Sequence, residues 1–430
     1  MNDSSRAALR QTQLPRVGIF DHVSLRLGGS QLVVARVAVL LSQQYSVEVI
    51  HSGEGYTIDG LASAFGLDLT LVKERIVKNS LGSFSPPGLK PRYVREKMQF
   101  DRELTEPYDL FIYSGHGVPP VCAAKHGLVY CHFPFESHPA HDLPRTEGWA
   151  ARSSWGRLIR LLGHTALWHW RMRGYQTIIG NSQFTSEWIE RRWKRPAEVL
   201  YPPVAIMPVS MPKENIIVSL GRFIVTDSKH HALQLKTFRN FLSMNGGDWR
   251  LCLIGFCTNL PHDLAYLDKL KSIAADIPVT FAVNASREIL WAHLSKAKLY
   301  WHATALGGEA NVQPERMEHF GIATVEAMGA GCVPLVPISG GQPEIVQHEV
   351  SGFLCRDAEE LLRHTSRLAG DESLCRQMSR AAKERSAFFS PETFDQGLRH
   401  LVAGALSGGR GKAQFRSGRS QSSFVHDRCD

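Results

Sequence analysis

Glu318-His319-Phe320-Gly321-Ile322-Ala323-Thr324-Val325-Glu326-Ala327-Met328-Gly329-Ala330-Gly331 is the stretch on which the reading of this chain turns. A carboxylate stands before a glycine, and a second follows on what the apolar spacing predicts is the first half of a helix. A helix that opens on glycine presents free N–H groups and a partial positive charge, which suits a phosphate. Two acids beside such a mouth suit neutral hydroxyls, so the ligand expected is part phosphate and part sugar. Small residues (Ala327, Gly329, Ala330, Gly331) let the helix lie close to a neighbour. An amphipathic helix with two solvated Glu is the competing reading of this segment taken alone.

Its surroundings favour the ligand. Cys332-Val333-Pro334-Leu335-Val336-Pro337 reads as a short apolar strand, and Ser339-Gly340-Gly341-Gln342-Pro343-Glu344-Ile345-Val346 as a glycine turn opening another helix. Upstream, Ile216-Ile217-Val218-Ser219-Leu220-Gly221-Arg222 is a strand running into a turn, with Lys229 beyond it. An Arg and a Lys past a strand end can neutralise a departing diphosphate, the Arg as a planar fork and the Lys as a point charge.

Alternating strands and helices extend along most of the chain and predict an α/β protein with parallel sheets. Strands are expected at 16–20, 47–50, 110–113, 128–131 and 177–180, then at 216–219, 250–254, 279–282, 299–302 and 333–336. Gly28-Gly29 forms a turn between the first strand and a helix over 31–43, where it could cradle a phosphate or the edge of an acceptor. It is neither GxGxxG nor a P-loop. Prolines at 202, 203, 208 and 212 mark a linker. The expected division is 14–207, 208–390, a last helix over 391–406, and a disordered basic tail over 407–430. Two such sheets facing each other place a ligand crevice between their strand C-termini.

Taken in order, SLGRF, a following Lys, EHFGIATVEAMGAGCVPLV, SGGQPEIV and SGFL resemble the C-terminal half of the retaining nucleotide-sugar glycosyltransferases of family four, over roughly residues 216–355. The wording is similar above all to that of lipid-linked-oligosaccharide mannosyltransferases and their bacterial relatives. The resemblance implies a GT-B fold, two Rossmann-like doubly wound domains across a cleft, with the helix 391–406 returning to the first domain. It implies that Arg222 and Lys229 hold the donor diphosphate, that Gly321 and Ile322 offer backbone N–H, and that Glu326 grips the ribose. It places Glu318 beside the transferred sugar and has His132 reach that sugar from the first domain. Lys229 stands about two residues further from Arg222 than the family's spacing has it. The implied reaction moves a hexose, most plausibly mannose from GDP-mannose, onto a glycan or lipid-linked acceptor with retention and with no metal or resident cofactor. A nucleotide-sugar epimerase, a transferase to a soluble acceptor, and a non-enzymatic membrane-surface binder on a GT-B scaffold are the alternatives.

Composition bounds the rest. At 430 residues with 43% hydrophobic content, the chain can bury two cores. No apolar run reaches bilayer length and residues 1–16 lack a signal-peptide core, so a cytoplasmic protein is expected, peripheral to the inner face of a membrane. Eight scattered Cys fit reduced thiols. Between 145 and 195, ten Arg or Lys against three Glu are interleaved with six of the nine Trp, a pattern that fits either a solvated helix face with Trp packed inward or an anionic membrane surface, and nucleic acid less well. His126, Cys131, His132, His138, His141 and Asp142 match no closed zinc spacing, and His230 and His231 could line the donor site.

Overall fold

The computed structural model describes residues 14–21, 27–77, 91–135, 166, 168–207 and 211–407. Thirteen strands are numbered in chain order: β1 Arg16–Asp21, β2 Ser46–His51, β3 Lys73–Ile76, β4 Leu110–Gly115, β5 His126–Cys131, β6 Thr177–Gly180 and β7 Glu198–Val199, then β8 Glu214–Leu220, β9 Arg250–Gly255, β10 Val279–Val283, β11 Ala297–Trp301, β12 Val333–Pro337 and β13 Phe353–Cys355. The first seven form one sheet in the order β3-β2-β1-β4-β5-β6-β7, and the last six a second in the order β10-β9-β8-β11-β12-β13. The central pairs, β1 with β2 and β4 and β8 with β9 and β11, are parallel. β4 is buried along its whole length, as are all residues of β12, because helices cover both faces.

Both sheets reverse their strand order at one place, between β1 and β4 in the first and between β8 and β11 in the second. Such a switch point opens a crevice at the strand C-termini. Gly28-Gly29 follow β1, and Arg222 and Lys229 follow β8, so these segments leave the sheets at their switch points.

The helix Pro391–Leu406 crosses back to the first sheet. Phe394, Leu398, Leu401 and Val402 are buried with Val33, Val37, Leu41 and Tyr130. Arg36 makes a forked pair with Asp395, at 2.8 Å from Nε and 2.7 Å from Nη2. The residues just before this helix also touch the connector between the sheets: Val204 N–H donates to Phe389 O (2.9 Å), and Tyr201 packs edge-on against Phe389.

Sequence periodicity missed β3, β7 and β13, strands of four, two and three residues. β3 is an edge strand, mostly exposed and reading Lys-Glu-Arg-Ile, so its pattern carries no apolar alternation. Within the basic Trp-rich stretch, the described residues favour the inward-packed reading. Trp168 and Trp193 are buried and meet edge to face at 6.2 Å. Arg171 is buried too, Arg195 bonds the carbonyls of Met172 and Tyr175, and Arg191 and Arg192 lie over Trp188. Trp168 and Trp193 are thus taken up by intramolecular packing, while Arg173, Arg191 and Lys194 stay exposed. Trp149 and Trp155, His138, His141 and Asp142, and the tail beyond Ser407 lie outside the described residues. Among the described residues no helix is long and apolar enough to cross a membrane.

Candidate functional site

The quoted stretch folds as an extended approach followed by the helix Ile322–Gly329. Gly321 precedes the helix at φ 123°, a conformation that L side chains rarely adopt. A Cβ there would also stand 2.3 Å from the Gln342 amide nitrogen. Buried Gln342 accounts for the tightness: its Nε2 donates to Phe320 O (3.1 Å) and its Oε1 accepts from Thr324 Oγ1 (3.0 Å). Thr324 and Val325 N–H turn back to Gly321 O, at 3.0 and 3.3 Å. The amides of Ile322 and Ala323 are therefore left at the helix mouth, with no partner among the described residues.

The glycine turn supports the same segment. Gly341 N–H donates to Glu318 O at 2.8 Å, and a Cβ on Gly340 would lie 2.3 Å from that carbonyl. Only bare backbone fits there, which ties the SGGQPE motif to the EHFG motif.

Glu318 is the centre of the charged cluster. Its Oε2 lies 2.7 Å from Lys229 Nζ and 3.2 Å from His302 Nε2. Burial alone would raise the Glu318 carboxyl, but Lys229 and the His302 contact hold it well below the usual carboxylate range. His302 is itself lowered by burial. It follows β11 and is fixed by its own N–H to Leu335 O (3.1 Å) and by Tyr300 hydroxyl beside Nδ1 (3.3 Å). Sequence reasoning did not single out His302. Its signal is a histidine closing the predicted strand 299–302, at the sheet end where ligands gather.

Lys229 arrives on a loop with two left-handed residues, Asp227 (φ 45°) and His230 (φ 51°). Asp227 accepts from His231 N–H (2.7 Å) and from the Tyr266 hydroxyl, while Gln234 Nε2 holds Lys229 O (2.8 Å). Lys229 thus reaches Glu318 despite the long spacing from Arg222. Arg222 itself is exposed and has no ion-pair partner among the described residues. His231 does not line the cleft as expected. It is fully buried against Phe223, at 4.8 Å between ring centroids.

Glu326 sits on the helix with Arg287 Nη2 3.5 Å from its carboxylate. Burial pushes its carboxyl up to about 7, and Arg287 offsets only part of that. Arg287 is the second residue that sequence reasoning missed.

The first sheet supplies the opposing wall. Buried His132 Nε2 lies 3.0 Å from Ser114 Oγ, and burial, aided by His116 and His319, lowers its pKa well below the usual value. His132 is therefore neutral at physiological pH. Gly28 and Gly29 open the helix Gly29–Ser42, and a Cβ on Gly29 would come within 2.7 Å of Ile322 Cδ1. The two glycine-mouthed helices therefore meet across the cleft.

Other contacts hold the walls together. His319 stacks on Phe133 at 3.9 Å and 7°, Ser182 Oγ donates to His319 O (2.6 Å), and Arg192 pairs with Glu315. Glu344 accepts from Gln183 and Phe184 N–H at 2.7 and 2.8 Å, capping the helix Gln183–Trp193 of the other half. An apolar cavity of about 100 Å³ lies behind them, lined by Tyr201, Phe388, Phe389 and Phe394 among others, and away from Glu318. Among the described residues no group of three or more His, Cys, Asp or Glu is arranged to hold a metal ion.

Known proteins give the arrangement its place. Residues 208–385 match the family described as glycosyl transferases group 1. A GDP-Man:Man(3)GlcNAc(2)-PP-Dol alpha-1,2-mannosyltransferase of Mus musculus is 29% identical over 243 residues, 51% of this chain and 46% of that protein. Its counterpart in Xenopus laevis is 31% identical over 242 residues with the same coverage. An alpha-1,3/1,6-mannosyltransferase of Neurospora crassa is 27% identical over 267 residues, 54% of each chain. The chain thus spans about half the length of the curated relatives it matches.

Among solved structures, Anabaena HepE in complex with UDP and glucose superposes over 90% of this chain and 99% of its own, with a TM-score of 0.60 at 17% identity. A Rickettsia africae glycosyltransferase covers 92% of this chain and 99% of its own, with a TM-score of 0.63 at 13% identity. At these identities the likeness establishes the fold, two Rossmann-like domains in the GT-B arrangement. Residues 208–385 therefore match the glycosyl transferases group 1 family, set within a chain of GT-B fold.

Proposed function

We propose that this protein is a retaining mannosyltransferase that moves mannose from GDP-mannose onto a glycan acceptor carried on a lipid. The observation that carries the reading is the Glu318 cluster: an ionised carboxylate clamped by Lys229 (2.7 Å) and approached by His302 (3.2 Å), beside the open mouth of the helix Ile322–Gly329. A cation and unpaired amides that converge on one point suit a diphosphate leaving group. The names of the mouse and frog relatives supply mannose, GDP and the lipid-linked acceptor class.

In this reading an incoming diphosphate draws Lys229 away from Glu318, and Arg222 swings in from solvent to the same phosphates. The Ile322 and Ala323 amides stabilise charge that builds up as the sugar–phosphate bond breaks. Glu318, freed from the lysine, faces the sugar and steadies positive charge at its anomeric carbon, while Glu326 takes the ribose hydroxyls. His132, neutral and across the cleft, bonds a sugar hydroxyl. With these fixed groups neutralising the phosphates, the reading calls for no metal ion. Retention follows if the acceptor enters on the face the phosphate leaves, where the phosphate itself takes the acceptor's proton.

The test is transfer of radiolabelled mannose from GDP-mannose to lipid-linked oligosaccharide, free oligosaccharide or water. Product on the lipid-linked acceptor alone, with its anomeric configuration kept, is expected. Equal transfer to free sugar, or a UDP-sugar outperforming GDP-mannose, would overturn the reading. A panel of GDP-, UDP- and ADP-sugars with and without divalent metal, read by melting temperature, reports the donor independently through mass action.

A further inference from the structure

A nucleotide-sugar bound as proposed runs from the sugar beside Glu318, past the diphosphate at Lys229, to the ribose at Glu326. Its base then lies beyond Glu326, over the ends of β9 and β10. Arg287 stands there. Its guanidinium is 3.5 Å from the Glu326 carboxylate, and its side chain is 37% exposed. A single contact at that distance leaves most of the five N–H donors of an Arg turned elsewhere.

The segment that carries Arg287 is rigidly built. Asn284, left-handed at φ 52°, accepts from Cys257 N–H (2.9 Å) and donates to Cys257 O (3.2 Å), which fastens the end of β10 to the end of β9. Ser286 then caps the helix Arg287–Lys296 and fixes Arg287 at its first position. Next to Cys257, at the end of β9, Phe256 keeps 45% of its surface exposed. An exposed ring and an Arg fork on adjacent strand ends offer a planar heterocycle a face and an edge.

We infer that Arg287 reads the nucleobase of the donor and selects guanine. Guanine presents O6 and N7 side by side as acceptors, which a guanidinium meets with two N–H bonds. Adenine places an amino donor where O6 stands, and uracil has no ring-nitrogen acceptor beside its carbonyl. Lys at this position would keep the positive charge near Glu326 but lose the fork. The inference rests on the donor reading above and adds to it the residue that chooses the base.

The experiment is calorimetric titration of GDP, inosine diphosphate, ADP and UDP into the full chain and into Arg287→Lys and Arg287→Met. Inosine diphosphate keeps O6 and N7, so wild type should bind it and GDP about fivefold or more tighter than ADP and UDP. In both variants that preference should shrink to about twofold or less, with affinity for GDP falling more than affinity for UDP. Equal weakening of all four diphosphates would mean that Arg287 only steadies Glu326, and would overturn the inference. A wild-type preference for ADP or UDP would do the same. If wild type bound none of the four, the donor reading itself would fall, whereas binding with an unchanged GDP-to-UDP ratio in the variants would sink base selection alone.

Discussion

On the wall contributed by the second sheet, Lys229, Glu318, Glu326 and Arg287 present paired charges, and Arg222 waits in solvent. On the facing wall, His132 is buried and neutral beside Ser114, and Gly28 and Gly29 offer only backbone. The contrast follows from what each wall would have to hold. Breaking a bond to a diphosphate needs positive charge in a fixed place, and an acid keeps the cation ordered in the cleft until a phosphate takes its place. Hydroxyls need only hydrogen bonds, which an uncharged imidazole provides without drawing ions into the cleft. The two walls should therefore respond differently to mutation and to pH.

The largest expected effect lies on the charged wall. Lys229→Ala should lower kcat/KM about 10²–10³-fold, the range for removing one preorganised donor from a developing anion. It also leaves Glu318 without its main counter-charge. His132→Phe, on the neutral wall, should cost about tenfold or less, in line with loss of a neutral hydrogen bond. Equal losses from the two variants in the same transfer assay would erase the distinction. Next in size, Glu318→Gln should depress kcat about 10²-fold while KM for the donor changes little, because its charge matters most when the anomeric carbon turns positive. A rise in KM alone would move Glu318 from chemistry to simple binding.

The pH profile sharpens the comparison further. Glu326 is pushed up to about 7 by burial; on the proposed reading it binds ribose hydroxyls best when ionised, so kcat/KM should rise about tenfold from pH 6 to pH 8. Glu326→Gln should flatten that limb and raise the donor KM. His132, lowered well below its usual pKa by burial, is neutral on both sides of this window and should add no limb of its own. A profile that keeps its limb in Glu326→Gln and loses it in His132→Phe would reverse the assignment. The smallest effect belongs to the rim, where Arg192→Ala breaks the pair with Glu315. That pair spans the cleft at the surface, and its loss should change donor binding by less than about 1 kcal/mol.

What could be read from the chain alone follows the range of the interaction. Strands such as Ile216–Leu220 and the glycine mouth at Gly321 declare themselves through neighbours in sequence, by apolar runs and by a residue whose backbone must turn. Lys229 and Glu318 were legible as types but not as partners, because 89 residues separate them and only the β8–β11 switch point brings them together. His302 and Arg287 were invisible for the same reason. Each acquires meaning from one carboxylate that lies across the fold. Trp168 and Trp193 follow the inward-packed reading, which the chain alone could not separate from lipid contact, since a basic, Trp-rich stretch looks the same whether its rings face lipid or pack together at 6.2 Å. Glu344 belongs with the partners that sequence hides: its carboxylate caps a helix begun 161 residues earlier.

The central claim is that the Lys229–Glu318 pair is where a diphosphate binds, and the most direct test compares GDP with GMP by calorimetry in wild type and in Lys229→Met. Wild type should bind GDP about tenfold or more tighter than GMP, since only GDP carries the second phosphate to the lysine, and Lys229→Met should bring the two close to equality. An unchanged ratio between GDP and GMP in the variant would contradict the account and place the phosphates elsewhere.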